Sequence, residues 1–449
     1  MSITPARALA FTILQRMEKP STHADDLLQS AAIERLKPAD RNLVTALVME
    51  TLRWQLLLDQ QIRAQLTKPN QKLDLDVLLT LRLAAVQLLH MDRIPAHAAI
   101  NYSVELTKKS GHRYSAGLVN AVLRKLASQL RPTPQQPHDA ASLAAQTAHP
   151  LWMVERWVAA FGLPYAIKIC TANQQQPEAH LRVLDDSLHR QLLAEDSNLK
   201  PGALLSAAIC AGKQNVTETV TNHPAAPQGA IRRMDEGSQL IAELAGHGQQ
   251  ILDCCAAPGG KTIILAERNP HSAITACDIS PIRLSEMKQR LAIENITYLE
   301  ADAATLNLSE QFDLILCDAP CSGTGTLARN PEIRHRLTLA DVARHAERQQ
   351  KILSASYRAL KPGGRLLYST CSLEAEENEA VLVQFLATES SAKIIPIEDR
   401  LRELERDGIL VEGAADSLMA SSVSNHCLRT LPGITPTDGF FAAILTKSI

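Results

Sequence analysis

The sequence predicts a multidomain protein: an all-helical N-terminal domain, a small α+β subdomain, and a C-terminal α/β domain whose doubly wound sheet is mostly parallel. Three features of the 449 residues support this fold class. Apolar residues recur at helical spacing from residue 5 to 130, with no strand pattern between them. A proline-rich stretch follows. From about residue 237, short apolar runs alternate with helical patterns, which is the order that builds a parallel sheet.

The helical pattern predicts a first domain over residues 1–130. Residues 1–150 carry 18 Lys and Arg against 12 Asp and Glu, a charge of +6, whereas the remaining 28 against 36 give −8. The basic side chains concentrate near the end of this domain, at Lys108, Lys109, Arg113, Arg124, Lys125 and Arg131. This basic cluster is a candidate phosphate-binding surface, although a solvated helix face explains it about equally well.

Three prolines between residues 131 and 138 disfavour helix, so residues 131–145 are expected to form a linker. A small α+β subdomain is expected over 146–236. It would begin with a helix that ends at Gly162 and contain short strands at 181–184 and 209–210.

The α/β domain is expected over 237–449. Its predicted helices are 237–245, 261–268, 281–293, 339–360 and 375–388, and its predicted strands are 250–254, 273–277, 297–300, 312–317 and 364–369. A last strand, at 438–445, is expected to close the sheet. Ligands of such sheets bind in the crevice at the carboxyl ends of the strands.

The nine cysteines are scattered and form no CxxC pair, so no metal site is expected. No leader-like segment and no stretch near 18 apolar residues is present, which predicts no membrane partner and a reducing, cytoplasmic setting with free thiols. The absence of heptads predicts a monomer.

The chain is organised around the sequence ILDCCAAPGGKT at 251–262, which has the form of a buried strand, a glycine turn and a helix start. Its last residues also match the end of a P-loop, for which the run 314–318 would supply the magnesium-binding strand. The P-loop interpretation fails at Cys255, where the first glycine should stand. A nucleotide-type ligand is therefore expected at this turn.

Two further acids favour adenosine over a triphosphate. Asp278 ends a strand about twenty residues past the turn, where an acid suits a ribose diol. Asp302 follows another short apolar stretch and is a candidate partner for an adenine amino group. Adenosine without a phosphate loop indicates S-adenosylmethionine. For either acid alone, a helix N-cap is the simpler explanation.

Two cysteines follow consecutive predicted strands. Cys321 comes shortly after Asp318, and Cys371 follows the next predicted strand, so both thiols would face one crevice if the two strands are neighbours in the sheet. Lone cysteines are usually small core residues. Beside a methyl donor, however, a thiolate suits methylation of a pyrimidine at C5, because its addition to C6 makes C5 nucleophilic. Asp318 would then hydrogen-bond the ring near N3.

With these features the chain resembles the RsmB (Sun/Fmu) family of 16S rRNA cytosine-C5 methyltransferases. The motifs are DCCAAPGGKT at 253–262, DAPCSGTGTLARNPEIR at 318–334, LKPGGRLLYSTCS at 360–372, EENEAV at 376–381 and DGFF at 438–441. The segments 40–54 and 92–126 resemble the NusB-like RNA-binding domain of this family. The resemblance covers nearly the whole chain.

The resemblance implies a Rossmann-like class I methyltransferase domain, with Cys371 as nucleophile and Cys321 assisting product release. It implies that S-adenosylmethionine is held by Cys255, Ala256, Ala257, Pro258, Gly259, Gly260, Lys261, Asp278, Asp302 and Asp318. The implied partner is 16S ribosomal RNA or an assembling small subunit, methylated at the cytosine numbered 967. A transfer RNA substrate, a P-loop NTPase and a non-catalytic RNA-binding factor are the alternatives.

Overall fold

The computed structural model describes residues 5–19, 22–129, 136–212, 220, 223, 226 and 229–448. The chain divides into two compact units, Met1–Gln175 with Leu327–Arg336, and Gln176–Thr326 with Leu337–Ile449. Within the described ranges, no helix is both long and apolar enough to cross a membrane.

The first unit is all-helical, as predicted. Its helices are α1 (Pro5–Met17), α2 (Ala24–Leu28), α3 (Ala31–Glu34), α4 (Pro38–Gln65), α5 (Leu75–Leu89), α6 (Ala96–Lys109), α7 (Ala116–Ser128), α8 (Ala140–Gln146), α9 (Leu151–Phe161) and α10 (Leu163–Asn173). The periodic apolar residues line its interior, where Leu47 and Leu83 belong to one cluster and Leu81 and Val122 to another.

The predicted linker over 131–145 ends in a helix rather than in irregular chain. Asp139 caps α8 by accepting from the Ser142 amide, at 2.7 Å, in a reciprocal capping box. Residues 130–135 lie outside the described part of the chain. The first unit also includes α8, which lies almost wholly in the predicted linker, and α9 and α10, which the sequence assigns to the small subdomain, so the domain boundaries remain a prediction.

The segment Leu327–Arg336, which follows the Cys321 loop in sequence, belongs to the first unit. Its buried Arg334 donates from Nη1 to the Arg53 carbonyl at 3.0 Å and from Nη2 to the Asn173 carbonyl at 3.3 Å. Burial and the nearby Arg53 cation lower the pKa of Arg334 to about 9. The sequence motif 318–334 is therefore divided between the two units.

The second unit begins with a small antiparallel sheet, in the order β2-β3-β1-β4. Its elements are β1 (His180–Val183), α11 (Asp186–Glu195), β2 (Lys200–Pro201), β3 (Ala208–Cys210) and β4 (Ile231–Arg233). Two of the strands match those predicted. Buried Arg182 attaches this sheet to the rest of the unit, because it pairs with Glu243 and Glu267, each at 2.8 Å.

The large sheet has the order β11-β12-β13-β9-β8-β5-β6-β7, and β10 pairs with β13. Its elements are α12 (Glu236–Ala245), β5 (Gln250–Asp253), α13 (Gly260–Arg268), β6 (Ala273–Asp278), α14 (Pro281–Leu291), β7 (Ile296–Glu300), β8 (Phe312–Asp318), α15 (Leu339–Ala359), β9 (Leu360–Thr370), α16 (Glu379–Thr388), β10 (Ala392–Ile395), α17 (Ile397–Arg406), α18 (Ala414–Ser422), β11 (Val423–Ser424), β12 (Cys427–Arg429) and β13 (Phe441–Lys447). Strands β5 to β9 are parallel, which confirms the predicted doubly wound fold.

Two details of the α/β domain differ from the sequence prediction: the start of one helix and the position of the last strand. The helix expected at 375–388 starts only at Glu379, after a 3-10 turn at Ala375–Glu377. The last strand does not close the sheet at an edge. Instead, β13 lies antiparallel between β9 and β12, because its apolar residues are buried.

Candidate active site

The glycine turn after β5 requires glycine at one position. Gly259 has φ +95° and caps α13, and a Cβ there would lie 2.8 Å from Cγ of Met287. The preceding Ala257–Pro258 peptide is cis. The turn therefore brings bare backbone to the mouth of the crevice, as the sequence predicts.

A cavity of about 860 Å³ opens over this turn. Asp253, the turn itself from Cys255 to Lys261, and Asp318 line one part of it. The other part is lined by side chains of 231–234 and 289–292, among them Arg232, Arg233 and Arg290. One side of the cavity is therefore formed by the predicted cofactor loop. The other side carries Arg232, Arg233 and Arg290, and we call it the basic wall.

Asp278 and Asp302, the other two predicted cofactor ligands, do not line this cavity. Buried Asp278 accepts hydrogen bonds from the amide of Ala257, at 3.1 Å, and from the amide of Ser280. Asp302 accepts from the Ala304 amide at 3.0 Å and pairs with Arg348 at 2.8 Å. Asp278 therefore supports the glycine turn directly, whereas Asp302 caps a 3-10 turn.

Lys261 and Thr262 are bonded to carboxylates. The Lys261 ammonium lies 2.6 Å from Asp318, and the Thr262 hydroxyl donates to Asp253 at 2.7 Å. A P-loop would direct these two groups at phosphate and magnesium. Burial opposes charge on Lys261, but the charges of Asp318 and Cys371 outweigh it and raise the pKa of Lys261. This arrangement contradicts the P-loop interpretation.

Asp253 is a site residue that the sequence prediction did not include among the ligands. It is buried, and this burial is the main reason that its pKa is raised to about 7; the charges of Asp318 and Asp278 add to it, against the Thr262 hydrogen bond and the Lys261 charge. Its place at the end of β5 was visible in the sequence. Its hydrogen bond and its burial were not.

The two predicted crevice thiols do meet. Strands β8 and β9 are parallel neighbours, with Asp318 opposite Ser369, and the Sγ atoms of Cys321 and Cys371 lie 3.3 Å apart. Both cysteines are partly buried. The Ser369 hydroxyl donates to Asp318 at 2.8 Å, so the ion pair of Asp318 with Lys261 lies at the carboxyl ends of the same two strands that the thiols follow.

The basic cluster of the first unit is exposed at each described position, while Arg131 lies outside the described residues. Lys108 pairs with Glu105 at 2.6 Å, and Lys125 donates to the carbonyl of Gln65. Phosphate binding by this cluster remains a prediction.

One group among the described side chains has donors suited to a metal ion. Glu178, His180 and Cys210 place one donor atom each within 4.8 Å of one another on the small sheet. The sequence expectation of no metal site therefore remains a prediction.

Comparison with known proteins gives matches to each region. The family described as 16S rRNA methyltransferase RsmB/F matches residues 242–446. The NusB family matches residues 4–128, and the ferredoxin-like domain of RsmF/B-like methyltransferases matches residues 149–210.

Similarity to individual proteins extends over the whole chain. The sequence is 31% identical over 464 residues to a probable ribosomal RNA small subunit methyltransferase B of Bacillus subtilis (strain 168), covering 100% of both chains. It is 34% identical to ribosomal RNA small subunit methyltransferase B of Pseudomonas syringae pv. tomato, covering 92% of this chain and 91% of that one. The crystal structure of PH0851 shares the fold over 100% of both chains, with a TM-score of 0.77 and 23% identity.

Proposed function

The chain belongs to the 16S rRNA methyltransferase RsmB/F family, and from this premise we propose that it methylates C5 of one cytosine in 16S rRNA through a covalent enzyme–RNA adduct. The observation that carries the proposal is the pair of thiols 3.3 Å apart, at the ends of adjacent strands and next to the Asp318–Lys261 ion pair.

The residues around the glycine turn fit S-adenosylmethionine as the methyl donor. Asp253 and Asp318 line the cavity at the glycine turn, where burial raises the pKa of Asp253 to about 7 because its negative charge is poorly compensated there. A sulfonium cation supplies the missing positive charge, whereas a triphosphate would add to the repulsion. When bound, this cofactor supplies an electrophilic methyl group.

Cys371 is assigned as the nucleophile. Its Sγ would bond to C6 of the cytosine, which leaves C5 electron-rich enough to accept a methyl group. Lys261 interacts electrostatically with Cys371 and so provides a cation beside the proposed nucleophile. Asp318, bonded to Lys261, would hydrogen-bond the ring near N3 as negative charge accumulates.

Cys321 is assigned to product release. After methylation, C5 still carries its proton. A base must remove this proton so that the bond between Cys371 Sγ and C6 breaks, which restores the aromatic ring and the free thiolate. Cys321 is the nearest such group, 3.3 Å from the nucleophile.

The basic wall of the cavity supports an RNA substrate. Arg233 and Arg290 are both exposed at its edge, and cations at such a position bind backbone phosphates. The exposed basic cluster of the NusB-like domain offers a further phosphate-binding surface. Position 967 of 16S rRNA is the target that the family resemblance implies.

The test compares the wild-type protein with Cys321→Ala and Cys371→Ala, each incubated with 16S rRNA and S-adenosylmethionine and resolved on a denaturing gel. We expect a covalent protein–RNA band mainly in Cys321→Ala, and neither band nor methyl incorporation in Cys371→Ala. Transfer RNA serves as the substrate control. If both variants methylate RNA without forming the band, the thiol mechanism is refuted.

A further inference from the structure

A buried carboxylate joins the two loops that carry the thiols. Glu377 lies on the 3-10 turn after the Cys371 loop and is fully buried. Its Oε1 accepts from the Ser322 amide at 2.8 Å and from Nε2 of Gln349 at 3.1 Å. Its Oε2 accepts from the hydroxyls of Ser322 and Ser372. One side chain therefore binds the residues directly after both cysteines.

Other hydrogen bonds link the same two loops. The Leu373 amide donates to Oγ1 of Thr324 at 2.9 Å, and the Gly325 amide donates to the carbonyl of Cys371 at 2.9 Å. These bonds are neutral. Glu377 is distinct among them because a single carboxylate accepts four hydrogen bonds, from residues of both loops and from Gln349.

We propose that Glu377 is a positioning residue that clasps the two cysteine loops and keeps the proton of the thiol pair on Cys321, so that Cys371 alone attacks. This inference rests on the proposed function. It assigns to Glu377 no contact with RNA or cofactor, only an action through the two thiols.

The surroundings of Cys321 support different roles for the two thiols. The hydrogen bond with Cys371 and burial raise the pKa of Cys321 well above its usual range, and the Glu377 charge raises it further. The Gly323 amide opposes this rise, and Tyr368 is a further neighbour. Lys261 interacts with the nucleophile side of the pair, Cys371. The negative carboxylate and the positive lysine thus act on different thiols.

The clasp has a consequence for product release. Cys321 must lose its own proton before its thiolate can take the C5 proton, and only then can the Cys371–C6 bond break. Release should therefore accelerate as pH rises. Removing the Glu377 charge lowers the pKa of Cys321, so release by the variant should become efficient at a lower pH than in the wild type.

The experiment measures the covalent fraction at steady state on denaturing gels from pH 6 to 9, with 16S rRNA and S-adenosylmethionine. Glu377→Gln keeps the shape but not the charge. We expect the pH at which the adduct disappears to fall by about one unit, which is about tenfold faster release at a given lower pH. Glu376→Gln removes an equal charge from the same 3-10 turn while leaving all four Glu377 hydrogen bonds in place, and should leave that pH unchanged.

A second variant separates the effect of the Glu377 side-chain length from the effect of its charge. Glu377→Asp keeps the charge but is too short to reach both loops, so it should slow adduct formation several-fold without moving the pH of release. The inference is overturned if Glu377→Gln shows the wild-type pH profile, or if Glu377→Asp forms the adduct at the wild-type rate. Failure of the proposed function would look different, because the wild type itself would then form no adduct and incorporate no methyl group.

Discussion

Substitution of Asp253 by asparagine should stabilise the protein above pH 7. The carboxyl group titrates near 3.8 when exposed, and burial, aided by neighbouring acids, raises its pKa in the folded protein to about 7. Three units at 1.36 kcal/mol each amount to about 4 kcal/mol. Asparagine retains an oxygen that can accept the Thr262 hydrogen bond, so the substitution removes the charge and little else.

The sign of the pH dependence follows from the direction of this shift. Because the folded protein holds a proton that the unfolded chain has released, Asp253 lowers the free energy of unfolding as pH rises from about 4 to 7. Above pH 7 the full penalty applies. Roughly 3 kcal/mol of it should develop between pH 5 and 8.

Urea denaturation of the wild type and Asp253→Asn at pH 5, 6, 7 and 8 measures this term. The difference in unfolding free energy between the two proteins should widen with pH by about 3 kcal/mol. Parallel pH profiles would refute the raised pKa and with it the charge argument for the cofactor. In the wild type, affinity for cationic S-adenosylmethionine should also rise about tenfold from pH 6 to 8, and affinity for S-adenosylhomocysteine, which lacks the sulfonium charge, should rise less.

Two further predictions concern the turn and the basic wall. Gly259→Ala should lower the free energy of unfolding by at least about 2 kcal/mol and abolish cofactor binding, because Gly259 has a positive φ and is closely packed. A Cβ at Gly260 would make only ordinary contacts, so the free energy of unfolding of Gly260→Ala should stay within about 1 kcal/mol of the wild-type value. Equal losses in both, by urea denaturation, would contradict the role of the left-handed turn. Arg233→Ala and Arg290→Ala should each weaken RNA binding and reduce the slope of log affinity against log salt by about 1, while cofactor affinity stays constant. Unchanged slopes in filter binding would remove the basic wall from the RNA site.

The sequence was most informative where function depends on a strand end. Asp278 ends β6 and Asp318 ends β8 of the parallel sheet, and the glycine turn follows its central strand, β5. Periodicity alone therefore places the two acids and the turn at one edge of the sheet. Asp302 does cap a 3-10 turn through its bond to the Ala304 amide, and its bond to Arg348 reaches α15, 46 residues away. In the sequence, Glu377 is recognisable only as one residue of the motif at 376–381, because nothing near it in the sequence predicts which loop its side chain contacts.

The sequence by itself determined the all-helical and α/β fold classes, the alternation of helices and strands from α12 to β9, and the chemical kinds of residue at the strand ends. These features follow from short-range steric effects and from burial, and both produce local patterns in the sequence. The tertiary structure alone decided that β8 and β9 are neighbours, that thiols fifty residues apart in sequence lie 3.3 Å from one another, and that Asp253 titrates near neutral pH. It also placed Leu327–Arg336 in the first unit. Such properties depend on which distant segments pair and how deeply they exclude water, and no local pattern encodes either.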